Sequence, residues 1–195
     1  MPAFPDHHDD HLTETTLSSE RVYDGIFLHI EHDRVRLPDG KETGREYIHH
    51  PGAVMIIALL DDGQVVLERQ YRYPVRRAFT EFPAGKIDAG EPPLSTAERE
   101  LREETGYSAR TWNFLCTIHN AIGYSDEHID LYLATGLSLG ERRLDEGEFL
   151  DVFTLPATVL LEQVRAGEIT DVKTIIGAFW LEKILNGTWV PGRTT

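Results

Sequence analysis

Gly85-Lys-Ile-Asp-Ala-Gly-Glu91-Pro-Pro-Leu-Ser-Thr-Ala-Glu98-Arg99-Glu100-Leu101-Arg102-Glu103-Glu104-Thr105-Gly106-Tyr107 is the stretch that decides how this chain reads. Pro92 and Pro93 suit a helix start, because proline at the first helical position gives up no needed N–H. Ser95 with Glu98 offers a capping box one turn later, so the start is open by about two residues. Gly106 fits the left-handed position that closes a helix. Leu94, Ala97 and Leu101 follow helical spacing and form an apolar stripe for a core. Glu100, Glu103 and Glu104 project from one neighbouring face. Like charges at that spacing destabilise a helix; Arg99 can pair with Glu103, and Arg102 offsets part of the remainder. The cluster points to a divalent cation, since hard carboxylate oxygens suit Mg2+ or Mn2+, and Mg2+ keeps water positions for a phosphate substrate. The alternative is a solvated acidic helix face.

Outward from that helix, the composition bounds the rest. The chain has 195 residues, 41% hydrophobic and 27% charged, a globular balance with enough apolar side chains for a core. Its formal charge of −14 repels other polyanions, so it is expected to bind neither nucleic acid nor an anionic membrane. The longest uninterrupted apolar run, Ala53 to Leu60, falls far short of the ~20 residues a spanning helix needs. The opening residues lack a basic region and an apolar stretch, so no secretory signal is expected and the protein reads as cytoplasmic. A single cysteine, Cys116, lies among apolar neighbours as a small core residue would.

Residues 1–18 are polar, acidic and His-rich and are expected to form a disordered tail, with His7, His8 and His11 solvated rather than metal-bound. Ile26, Leu28 and Ile30 alternate with Phe27, His29 and Glu31, a strand period continued by Val35 and Leu37. A turn at Pro38-Asp39-Gly40 and an extended run near 45–49 complete a small antiparallel sheet over 19–50. The main domain is expected over 51–195. It opens with Ala53 to Leu60, a hairpin signal at Asp61-Asp62-Gly63, and a returning strand from Gln64 to Tyr71. Helices are predicted near 93–105, 156–166 and 172–186, the last placing Ile175, Ile176, Phe179, Leu181 and Ile184 near one face. Extended segments are predicted at 111–118, 128–135 and 148–154. The class is α/β: a mixed sheet with helices on its faces.

The quoted stretch resembles the Nudix box: Gly, five residues, Glu, seven residues, then Arg-Glu-apolar-any-Glu-Glu-any-Gly-apolar. Gly85, Glu91, Arg99, Glu100, Glu103, Glu104 and Gly106 fill every fixed position, and Tyr107 departs mildly from the usual aliphatic residue. The resemblance implies an α/β/α sandwich around a mixed sheet and hydrolysis of a nucleoside diphosphate linked to another moiety. It implies that Glu100 and Glu104, assisted by Glu103 and the carbonyl of Ala84, hold Mg2+ (with Mn2+ as a substitute), and that Glu91 and Arg99 brace the helix. Similarity to the ADP-ribose pyrophosphatase branch extends over roughly 20–186, through Arg45-Glu46, Glu68-Arg69-Gln70-Tyr71-Arg72 and Glu81-Phe82-Pro83-Ala84-Gly85. By that analogy the N-terminal sheet exchanges across a homodimer. Arg45 and Glu46 then come from the partner, while Arg72 and Glu81 line the site.

Arg69, Arg72, Arg76 and Arg77 form a basic island suited to phosphate, with surface ion pairs the plainer role for Arg76 and Arg77. Tyr71 and Tyr73 offer rings that stack on a base or pack structurally. The acidic loop Asp145-Glu146-Gly147-Glu148 resembles the one that supplies a catalytic base, with Glu146 the better match and Glu148 next. One position departs from the ADP-ribose subgroup: where it carries a proline, sixteen residues after Gly106, this chain has Ile122. A GDP-mannose or other nucleotide-sugar pyrophosphatase therefore stands as the alternative, and a non-catalytic ligand sensor as an alternative of another class.

Overall fold

Strand pairing, rather than burial, organises the N-terminal segment. The computed structural model describes residues 9–144 and 147–190. In it Thr15–Asp24 (β1), His29–Arg36 (β2) and Glu42–His49 (β3) form an antiparallel sheet in that order. β1 begins at Thr15, inside the stretch expected to be disordered. It is almost wholly exposed, so it lacks the apolar alternation that marks a strand in sequence, and its ladder to β2 holds it instead. Ile26 and Leu28 are not strand residues. They lie in the reversal between β1 and β2, closed by the Gly25 N–H donating to the Leu28 carbonyl (2.9 Å), and Ile26 is fully exposed. Ala121–Glu127 belongs to this unit: Ile48 N–H donates to Tyr124 O (2.8 Å), and Asp126 accepts from the His50 N–H (2.7 Å).

The second unit spans Pro51–Asn120 and the chain from His128 onward. Ala53–Ala58 (β4) is apolar on both faces, as a central strand covered on both sides must be. The further strands are Gln64–Arg72 (β5), Arg77–Glu81 (β6), Ala84–Lys86 (β7), Tyr107–Ile118 (β8), Ile129–Leu139 (β9) and Leu150–Pro156 (β10). The helices are Pro93–Thr105 (α1), Ala157–Arg165 (α2) and Val172–Leu185 (α3). One sheet runs β7-β4-β9-β8, with β4 and β9 parallel, and a second runs β10-β5-β6. Val54, Ile56 and Ala58 pack with Ala97 and Leu101 of α1, while Met55 and Ile57 pack with Leu160 of α2 and Ala178 and Leu181 of α3. That division makes an α/β/α sandwich. Each fully buried leucine in it contributes about 1.5–3 kcal/mol.

Two local expectations are corrected. β4 and β5 are not a simple hairpin: they meet at the Leu59–Val65 bridge, and β5 then enters the other sheet. The reason is that β7 and β9 already occupy both edges of β4. On α3 the buried residues are Thr174, Gly177, Ala178 and Leu181, whereas Phe179 is exposed. The helix is apolar nearly all round, so periodicity alone could not choose its inner face. Gly177 does choose it, because a Cβ there would lie 2.9 Å from Met55 and 3.0 Å from Phe82.

Candidate active site

Helix α1 starts at the prolines. Pro92 is the N-cap and Pro93 the first helical residue, with no side-chain cap, so the Ser95–Glu98 box does not form the start. Glu91 is tied in by Thr96, whose hydroxyl donates to its carboxylate (2.8 Å). Gly106 closes the helix at φ 78°, its N–H donating to Arg102 O (2.9 Å). Buried Ala97 and Leu101 fix the helix's rotation, which sets the direction of the three glutamates one step round the face. Glu104 is buried at 4% exposure and Glu100 is largely covered, while Glu103 stands at the rim.

The loop before β7 closes this face. The Ala84 N–H donates to Glu104 Oε2 (3.1 Å), and Ile56 N–H holds the carbonyl of Pro83 (2.8 Å). Gly85 has a steric reason to be glycine: a Cβ there would sit 2.0 Å from the Glu100 carboxyl carbon. Arg99 ties the cluster together. It donates to both oxygens of Glu91 (3.1 and 2.9 Å), to Glu100 (2.8 Å), to Glu103 (3.2 Å) and to the Lys86 carbonyl (3.3 Å). Hydrogen bonding to Arg99 holds the Glu91 carboxyl at a pKa of about 2. Burial pushes Glu100 and Glu104 upward instead; neighbouring carboxylates add to this, Glu68 and Glu100 for Glu104.

Sequence reasoning passed over Glu68 as a site residue. On β5 it too is 4% exposed, shares a hydrogen bond with Glu104, and is pushed upward by burial and by Glu148 and Glu81. A charged residue directly after Val65-Val66-Leu67 was the available signal, an interruption in an otherwise buried strand. Glu148 is close enough to raise Glu68, Glu100 and Glu104, which places Glu148 itself beside the cluster. Glu146 lies outside the described residues.

The donor set suits a hard divalent cation: carboxylate oxygens crowded in a partly desolvated site, and a glycine that leaves room for one of them. Among the described residues, no three such groups are gathered to hold an ion as they stand, and Arg99 shares Glu100 and Glu103. The anionic face is ready; an ion has to compete with one arginine.

Beside it stands a second network. Arg72 donates through Nε and Nη2 to the two oxygens of Glu81 (2.7 Å each), a bidentate fork, and Lys173 from α3 bonds the same carboxylate. Burial pushes Glu81 upward, but Arg72 and Lys173 outweigh it and hold the carboxyl below its ordinary value. Lys173, which no sequence motif flagged, is aimed by the α3 cap: Asp171 accepts from Thr174 N–H (3.0 Å) and from Lys173 (3.1 Å). Arg76 and Arg77 of the basic island lie over the rings of Tyr73 (3.6 Å) and Phe79 (4.4 Å). A cleft of about 380 Å3 is lined by Arg69, Tyr71, Arg142, Glu148 and Phe149. Arg45 and Glu46 belong to β3 of the other unit, where Arg45 pairs with Glu14 (2.5 Å).

Comparison with known proteins adds to this geometry. The NUDIX domain family matches residues 49–174, and the nucleoside diphosphate sugar hydrolase N-terminal domain matches residues 14–48. The chain is 39% identical over 171 residues to the methanol dehydrogenase activator of Bacillus methanolicus, covering 87% of this chain and 92% of that protein. It is 38% identical over 173 residues to the ADP-ribose pyrophosphatase of Bacillus subtilis, covering 88% and 94%. A solved structure, the crystal structure of an ADP compounds hydrolase, superposes with a TM-score of 0.80 at 24% identity, covering 91% and 97%, which speaks to the fold.

Proposed function

The chain belongs to the NUDIX domain family, and from that premise we propose that it hydrolyses the diphosphate of ADP-ribose to AMP and ribose 5-phosphate. The observation that carries the reading is the carboxylate face of α1, closed by Ala84 and Gly85 and braced by Arg99. Glu100 and Glu104, with Glu103 and the Ala84 carbonyl, are the groups that would hold a divalent cation, Mg2+ by preference and Mn2+ as a substitute. Such an ion, when bound, neutralises the diphosphate and acidifies the attacking water.

The chain's own residues do the rest. Arg99 holds Glu100 and Glu103 in register while Glu91 neutralises it from the far side. Arg72, gripped through Nε and Nη2 by Glu81, keeps Nη1 to donate to a substrate oxygen. Glu146 accepts the proton of the attacking water, with Glu148 next in line. Arg45 and Glu46 clamp the nucleoside from the partner subunit of a cytoplasmic homodimer.

Ile122, where the ADP-ribose subgroup carries proline, favours a second reading in which another nucleotide sugar such as GDP-mannose is the preferred substrate. A panel of nucleoside diphosphate sugars with chromatographic product identification separates the two. The highest kcat/KM for ADP-ribose supports the first reading; a preference for GDP-mannose transfers the assignment to the second.

A further inference from the structure

Val66 of β5 packs with Ala97 and Leu101 of α1. Two residues along a strand return to the same face, so the Glu68 side chain meets the same helix, and there it shares a hydrogen bond with Glu104. Glu68 is 4% exposed, and its Oε1 is buried without a hydrogen-bond partner among the described residues. Native proteins pair nearly all such atoms, because an orphaned buried acceptor keeps its full desolvation cost. Arg72, the cation that acts on Glu68, is already forked onto Glu81. The other charged groups acting on Glu68 are carboxylates: Glu81, Glu104 and Glu148. A buried carboxylate oxygen in that company, with no hydrogen-bond donor facing it among the described residues, is placed to bind a metal ion.

We propose that Glu68 is a further carboxylate ligand of the divalent cation, supplied from the sheet, opposite the ligands that α1 supplies. This rests on the reading of α1 as a cation site. Glu68 lies outside the box, so the box sequence does not announce it. Glu68 and Glu104 would then hold the ion from two elements that pack together through Val66 and Leu101.

The test is Mn2+ binding to the full chain without substrate, followed through the electron paramagnetic resonance signal of free Mn2+. Wild type, Glu68→Gln, Glu68→Val and Glu104→Gln are compared, each checked for folding by metal-free thermal melting. Glu68→Gln and Glu68→Val are expected to weaken Mn2+ binding by about 10- to 100-fold. Glu68→Val should melt no lower than wild type without metal, since it leaves no orphaned buried acceptor, and Glu68→Gln, of the same shape, should melt close to wild type. Glutamine keeps a hydrogen bond to Glu104. If Glu68 serves only that bond, Glu68→Gln binds Mn2+ like wild type and the proposal falls. It also falls if both Glu68 variants melt well below wild type without metal, which marks a structural residue. Unchanged binding in the Glu68 variants beside weakened binding in Glu104→Gln overturns the Glu68 assignment alone. A wild type that binds no Mn2+ overturns it together with the cation site.

Discussion

A methyl group at Gly85 would lie 2.0 Å from the Glu100 carboxyl carbon, so Gly85→Ala has to displace either the loop or the carboxylate. Displacement of a ligand by about 1 Å is expected to lower kcat by roughly 10²-fold, measured at saturating Mg2+ with the circular dichroism spectrum unchanged. Glu100→Gln and Glu104→Gln should remove most activity, because an amide is a poor substitute for an anionic oxygen ligand. Neither should melt lower without metal, since each replaces a carboxyl that burial and neighbouring carboxylates already disfavour as an anion. Full Mg2+-dependent activity in either variant contradicts the ligand assignment. For Glu146→Gln the expectation is a kcat fall of roughly 10²–10⁴-fold with KM little changed, as for loss of a general base. A crippled Glu148→Gln beside a normal Glu146→Gln would move the base two residues along the loop. Glu91 gives a pH signature. Arg99 holds its folded pKa at about 2, below the ordinary 4.5, so its stabilising contribution is complete above about pH 4.5 and lost as pH falls through about 2. The stability gap between wild type and Glu91→Gln should therefore narrow across that window; a gap independent of pH would refute the pairing.

At the scale of elements, α3 reaches the site through its cap. Asp171→Ala removes the acceptor for Thr174 N–H and one partner of Lys173, and should cost about 1 kcal/mol in urea unfolding. Loosening Lys173 should also raise KM, through Glu81 and Arg72; an unchanged KM would separate α3 from substrate binding. Local rules made α1 readable from sequence: two prolines start it, Gly106 stops it, and Ala97 with Leu101 orient it, all within one segment. The strands β6 and β7 are five and three residues long, too short to show a period, and they went unread. Glu68 and Lys173 join the site through contacts across many residues of chain, which no local pattern encodes. Ile26 misled in the opposite direction, alternating like a strand residue while occupying a turn. Phe179 misled because a helix apolar on every side offers periodicity nothing to choose between.

For the whole molecule, the N-terminal unit leaves Val22, Tyr23, Ile26 and Phe27 exposed on a sheet of three strands. A sheet this small gains stability by covering such a surface, and a two-fold partner would cover it on both copies. The expected species in light scattering at micromolar concentration is a dimer, and deletion of residues 1–48 should abolish it together with nucleoside binding. A monomer across that range would contradict the exchange of Arg45 and Glu46 between subunits. The central claim is that the carboxylates of α1 support divalent-cation-dependent cleavage of a nucleotide-linked diphosphate. Its most direct measurement is chromatographic analysis of ADP-ribose incubated with the wild-type protein and with Glu104→Gln, each with Mg2+ and with excess chelator. The account predicts AMP and ribose 5-phosphate in equal amounts from the wild type with Mg2+, and almost none in the other three reactions. Equal product formation in the chelated wild type, or in Glu104→Gln with Mg2+, would contradict it.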